Sequence, residues 1–305
     1  MTMDAHELGL IRTSLRHVLD SNRPADVPGA LLAEGWAELV DAEPSMAIPL
    51  LCEEAGRARS AAPVADLAIL WGAGIAADAS TAVIIDGLVL AGAERAERFV
   101  WLDADGITTV GAGEVTLSPA AGFDTALGLS TASVDERHTG TIGAAATNER
   151  AVAAGRRALA SQMVGAVDQM LDDTLAYVTV RHQYGRAIGS FQSVKHRLAD
   201  VKVANTAARA GVRAAWEACD SSDATTLAIA AKCLAGRAHD LASTHCFQVH
   251  GGIAFTTEHG FQQWVRRGLL LDLLLGRHEQ LTKELGRRLI DAARVPRLPD
   301  LRLTV

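Results

Sequence analysis

The chain of 305 residues has little cysteine, few aromatic side chains and a shortage of positive charge. Its four cysteines, Cys52, Cys219, Cys233 and Cys246, show no CxxC spacing. No signal peptide is recognised ahead of them, so a reduced, cytoplasmic setting is the expectation. Aromatics make up only 4% of the chain against 49% hydrophobic residues, so the interior must be built largely from Ala, Leu and Val. That composition argues against an aromatic-rich β-sandwich and for closely packed helices. A formal charge of −7 argues against a nucleic-acid scaffold, which presents a basic face. The longest apolar run, GLLLDLLLG (268–276), is too short to span a bilayer and is interrupted by Asp272.

What is present falls into three stretches. Residues 1–80 read as a helical domain: Leu8, Ile11, Leu15 and Leu19 recur at helical spacing, and Pro28, Pro44 and Pro63 stand where helices can begin. Residues 81–135 change character. Short β-prone pieces, TAVIIDGLVL, RFVWLDADGITTV and GEVTLS, are separated by Gly and Asp turns, which predicts a small sheet domain. Residues 136–305 return to helical patterning. Leu159, Met163, Val167, Met170 and Val178 mark one helix of some thirty residues. A second is expected after Ser190, read as its N-cap, with Phe191, Val194, Leu198 and Val201 inward. A third covers roughly 223–246, and a fourth contains WVRRGLLLDLLLG and EQLTKELGRRLIDAAR. The expected fold class is therefore mainly α with a small β domain, ending in a four-helix bundle.

Two segments carry chemistry. VRHQYGRAIGSFQSVKHRLAD (180–200) places Arg181, Tyr184-Gly185 and Gln192 around a sharp turn, and CFQVHGGIAFTTEHGFQQWVRR (246–267) sets Gln248 and Thr256 about Gly251-Gly252. Two successive glycines allow a ligand to approach the backbone. A helical hairpin with solvated charges accounts for the first segment equally well on pattern alone. Two other readings compete. His239, His245, Cys246, His250 and His259 form a histidine-rich group, but without a zinc spacing. LAILWGAGIAAD (67–78) mimics a dinucleotide fingerprint through Gly72 and Gly74, yet no alternation of strands and helices follows, and glycines between packed helices explain it better.

Taken together, the two segments resemble the acyl-CoA dehydrogenases. That family has an Arg-x-x-aromatic-Gly turn, a Phe-Gln helix start, an Ala-Asp or Ala-Glu further on, and a Gln-x-x-Gly-Gly-x-x-aromatic-Thr segment. Here these are Arg181 with Tyr184-Gly185, Phe191-Gln192, Ala199-Asp200, and Gln248, Gly251-Gly252 and Phe255-Thr256. The resemblance implies FAD as cofactor, bound across a subunit interface. Arg181, Tyr184 and Gln192 would serve the phosphate and adenosine end of one flavin, and Gln248, Gly251 and Gly252 the same end of the neighbouring subunit's. A guanidinium suits a pyrophosphate because its planar fork matches paired anionic oxygens.

The chain also departs from the family. The reaction needs a carboxylate base, and the two positions that hold it in the family are occupied here by Leu275 and Gly155. Asp272 and Glu149 are the nearby acids that a relocated base would use. The family's T-E-P-x-x-G-S-D type loop, which covers the flavin ring, has no counterpart between Thr81 and Ser133. Such chains resemble the smaller, degenerate subunits of heteromeric acyl-CoA dehydrogenases of actinobacterial steroid side-chain degradation. The resemblance implies an α2β2 partnership in which a catalytic subunit supplies the base and most of the acyl-CoA site, while this chain, inactive alone, completes the FAD site. The alternatives are a self-contained homomeric enzyme using Asp272 or Glu149, and a scaffold subunit without FAD contact. Neither nucleic acid nor membrane is expected as a partner.

Overall fold

The computed structural model describes residues 4–102, 106–120, 122, 124–134, 140–143 and 145–297. Five helices come first: α1 (Ala5–Ser21), α2 (Val27–Ala33), α3 (Trp36–Ala42), α4 (Pro44–Arg57) and α5 (Val64–Ala73). Asp4 caps α1 through a reciprocal pair with Glu7. Pro28 and Pro44 sit in the first turns of α2 and α4, where a missing N–H is harmless, and Pro63 is the N-cap of α5.

Seven strands follow: β1 (Thr81–Ile84), β2 (Leu88–Val89), β3 (Arg98–Leu102), β4 (Ile107–Gly111), β5 (Val115–Pro119), β6 (Ser130–Val134) and β7 (Gly140–Gly143). They form two small sheets, one ordered β1-β3-β4-β7 with β1 and β3 parallel, the other β2-β6-β5 and antiparallel throughout. Asp86 and Gly87, both at positive φ, make the turn that leads from β1 to β2. Asp66 in α5 ties the first sheet to the helices by accepting the Val83 N–H at 3.1 Å, and burial lifts its carboxyl to about 7.

The bundle begins with α6 (Ala145–Val180), whose 36 residues span about 54 Å at helical rise. A tiny hairpin of β8 (His182–Gln183) and β9 (Arg186–Ala187) separates it from α7 (Gln192–Glu217). Next come α8 (Ala224–His250), α9 (Gln262–Leu273) and α10 (His278–Ala292). The expected fourth helix is thus broken in two, because Leu275 and Gly276 take positive φ and turn the chain. Ser190 does not cap α7: its hydroxyl donates back to the Ala187 carbonyl, and Phe191 occupies the N-cap position with no side-chain bond. Leu159, Met163, Val167, Met170 and Val178 are all buried along α6, as their spacing requires.

One buried ion pair joins all three stretches. Arg267 in α9 donates to Asp124 at 2.6 Å and to the carbonyls of Arg59 and Ser60 at 3.0 and 2.6 Å. Gly72 packs inside α5, where a Cβ would come within 2.7 Å of Ala154 Cβ in α6. It therefore serves close helix packing, as the sequence suggests, and among the described residues no strand precedes it.

Candidate functional site

The hairpin after α6 is built by its two-residue turn. Tyr184 and Gly185 have φ of 53° and 79°, the pair of left-handed residues that a tight antiparallel hairpin demands. The hairpin lies close against α6, since a Cβ on Gly189 would meet Val178 Cγ2 at 3.0 Å, and the Ile188 N–H donates to the Arg181 carbonyl at 2.8 Å. Phe191 anchors its far side: Tyr184 meets it edge-on at 6.3 Å between ring centres, and the Arg186 guanidinium lies 4.1 Å above it. Tyr184 itself is 93% exposed. Arg181 and Gln192 are exposed too, and among the described residues neither side chain has a hydrogen-bond or ion-pair partner.

The second segment reaches the same end of the bundle. The α8 helix runs back alongside α6 and α7, with Thr174 Oγ1 and His250 Nε2 3.1 Å apart and His245 Nδ1 3.0 Å from the Arg197 carbonyl oxygen. Gln248 is exposed near the end of α8. Gly251 then takes a φ of 66°, and Gly252 is exposed with no atom within 4 Å of where a Cβ would stand. Arg181, Tyr184, Gln192, Gln248, Gly251 and Gly252 thus share one end of the bundle as an open surface with unspent donors.

The histidines of this region serve packing. His239 Nε2 lies 3.2 Å from the Trp264 carbonyl oxygen, while His250 stacks among Tyr177, His259 and Phe261 at 4.5–4.6 Å between ring centres. Burial, with His259 adding to it, pushes the His250 imidazole down to about 4. Among the described residues no group of three or more His, Cys, Asp or Glu is placed to hold a metal.

At the other candidate position the geometry is unambiguous. Gly155 in α6 and Leu275 between α9 and α10 touch each other: a Cβ on Gly155 would lie 2.5 Å from Leu275 Cδ1 and 2.8 Å from Ile69 Cγ1. Leu275, at φ 58°, is a non-glycine residue in the left-handed region, and both of its backbone groups are pinned. Its N–H donates to Asp86 at 3.0 Å, and its carbonyl accepts from Arg156 Nε at 3.0 Å. The fully buried Lys232 holds the same linker, donating to the carbonyls of Asp272 and Gly276 at 2.7 and 2.8 Å. Burial depresses the Lys232 ammonium to about 8, with Asp272 opposing the shift.

Asp272 is committed to the same structure. It accepts the His278 N–H at 3.0 Å, lies 2.9 Å from His278 Nδ1, and faces Lys232 and Arg277 at 3.8 Å. Glu149 is exposed and lies 3.6 Å from Arg288. Sequence reasoning missed Asp86 and Lys232, and marked Arg156 only as the arginine that follows Gly155. Only the Asp-Gly turn at 86–87 and a lysine isolated among alanines hinted at the first two.

Comparison with known proteins bears on the fold and family. Residues 143–290 match the family described as acyl-CoA dehydrogenase, C-terminal domain. Among solved structures, the steroid acyl-CoA dehydrogenase Tcur3481-Tcur3483 aligns over 94% of this chain and 99% of its own with a TM-score of 0.76 at 19% identity. The ChsE4-ChsE5 complex from Mycobacterium tuberculosis aligns over 97% and 99% with a TM-score of 0.75 at 16% identity. These likenesses define the class: residues 143–290 are an acyl-CoA dehydrogenase C-terminal domain, and the described chain has that family's fold.

Among curated proteins, the chain is similar to acyl-CoA dehydrogenase IpdE2 of Mycolicibacterium smegmatis, 39% identical over 118 residues that make up 39% of this chain and 37% of the relative. It is also 31% identical to acyl-CoA dehydrogenase FadE34 of Mycobacterium tuberculosis over 256 residues, 82% of this chain and 34% of that protein. The chain therefore spans about a third of the length of these curated relatives. Among the described residues, no helix is long and apolar enough to cross a membrane.

Proposed function

We propose that this chain is the cofactor-completing, non-catalytic subunit of a heteromeric FAD-dependent acyl-CoA dehydrogenase, whose partner supplies the base. The reaction introduces an α,β double bond into an acyl-CoA, with a steroid side-chain thioester as the favoured substrate. The observation that carries this reading is the contact between Gly155 and Leu275. Both positions that the resemblance assigns to the carboxylate are apolar here, and Leu275 fills the space that a side chain at Gly155 would need.

The residues at the bundle end fit FAD. Arg181 offers an exposed, uncommitted fork for a pyrophosphate, Gln192 and Gln248 offer neutral amides, and Gly251-Gly252 leaves an open cradle. FAD, when bound, supplies the hydride acceptor. This chain's own contribution is to orient its nucleotide end.

Assembly is supported by an apolar groove of about 650 Å³ between α6 and α7, with Leu175, Val180, Val203 and Leu234 exposed along the bundle. The deciding measurement is flavin absorbance against total chain concentration in the assembled complex, alongside turnover with a steroid-CoA. About one flavin per two chains of an α2β2 assembly is expected. Turnover should vanish when the partner's base is removed, while FAD stays bound. One flavin per chain, or turnover that survives loss of the partner's base, overturns the reading.

A further inference from the structure

A cavity of about 490 Å³ opens beside Leu275, and its walls do not suit the neutral head of a thioester. Two arginines line it, the half-buried Arg156 and the exposed Arg287. Arg156 spends only its Nε, on the Leu275 carbonyl. Among the described residues its two terminal nitrogens make no hydrogen bond, and the nearest carboxylate oxygen, on Glu284, stands 3.9 Å away.

The acids on the same wall are already engaged. Glu284 accepts from Arg288 Nε at 2.9 Å, and Asp86 accepts from the Leu275 N–H at 3.0 Å. Burial lowers the Arg156 pKa, and the Glu284 carboxylate opposes the shift. The lining also includes apolar side chains, Leu102, Val152 and Leu281.

We propose that this cavity binds an amphipathic molecule with a free carboxylate, its head between Arg156 and Arg287 and its apolar body against Leu102, Val152 and Leu281. A carboxylate meets a guanidinium fork with two parallel hydrogen bonds, and half-burial strengthens each of them. A CoA thioester would place a neutral carbonyl there and leave the guanidinium uncompensated. The inference does not depend on the heteromer reading, because every residue it uses belongs to this chain.

The test is calorimetric titration of the full chain with decanoate, decanol, inorganic phosphate and decanoyl-CoA. Decanoate should bind about tenfold or more tightly than decanol, as loss of a charge-assisted bond implies. Arg287→Gln should weaken decanoate by a similar factor. Val152→Trp, which fills the cavity and keeps both arginines, should abolish binding, and circular dichroism should show both variants folded. If Val152→Trp does not fold, Arg287→Gln carries the comparison. No decanoate binding at millimolar concentration sinks the proposal. So does phosphate binding as tightly as decanoate, which would mean an anion site only, or decanoyl-CoA binding more tightly with Arg287→Gln unaffected, which would mean a residual thioester pocket.

Discussion

Leu275 Cδ1 lies 2.5 Å from the point where a side chain on Gly155 would begin, so Leu275 fills the space that a larger residue 120 positions earlier would need. A leucine at one position and a glycine at the other are therefore parts of one packing solution. Gly155→Ala should cost ~1–3 kcal/mol by overpacking. Adding Leu275→Ala should recover part of that cost, because the two changes share the same volume. Urea unfolding of the two single variants and the double variant measures the coupling. Strict additivity would show that the contact is not the constraint.

Installing a carboxylate should not restore chemistry. Leu275→Glu in the complex is expected to add no turnover, since a base without a held thioester and a flavin ring has no proton to take. Steady-state assays on acyl-CoA with the partner's own base removed check this. Turnover above background would mean that this chain has a complete site.

Arg181→Ala should strip FAD from the assembled complex, with a loss of ~2–5 kcal/mol if its pairing to phosphate is buried there. Arg181→Lys should recover only part, because an ammonium lacks the planar fork. Thermal stability of the chain alone should barely change in either variant, since Arg181 is exposed and, among the described residues, its side chain is unpaired. Flavin content unchanged in both variants would remove Arg181 from the cofactor site.

The bundle end should be acid-sensitive. The pKa of His250 is lowered from 6.5 to about 4 in the folded chain, so between those values the unfolded chain binds more protons. Stability contributed by the neutral ring is thus present above about pH 6.5 and is lost as pH falls toward 4. His250→Phe keeps a ring against Tyr177 and Phe261 and removes the proton. It should flatten the pH dependence of the urea midpoint in this window, and an unchanged slope would assign the effect elsewhere.

Arg157 should be replaceable. It is 2% exposed, and among the described residues its Nε and one terminal nitrogen have no hydrogen-bond partner. Trp216 lies 4.8 Å beneath the guanidinium, and burial pulls its pKa down to about 10. Arg157→Met should leave the urea midpoint unchanged or raise it, because removing an undercompensated buried charge offsets the lost cation–π contact. A loss of several kcal/mol would show that the charge is compensated by groups the geometry does not reveal.

Periodicity and local chemistry alone made much of this protein legible. The α6 stripe from Leu159 to Val178 and the Tyr184-Gly185 turn follow from rules that act within a few residues, so reading the chain in order is enough. That Gly155 and Leu275 are apolar was also readable, and their place at the family's base positions remains what the resemblance implies. Ser190 looked like a cap, but a local 3-10 turn over Ile188–Ser190 sends its hydroxyl to the Ala187 carbonyl three residues back. Tertiary structure decided the rest. The break between α9 and α10 depends on Asp86, Arg156 and Lys232, which hold the Leu275 and Gly276 backbone from three separate elements. That Asp272 is a structural acceptor, that Gly155 and Leu275 touch, and that two arginines border one cavity are also facts of long-range packing. A side chain's partners and burial are set by whichever distant segments the core brings against it, and hydrophobic spacing along the chain carries no record of them.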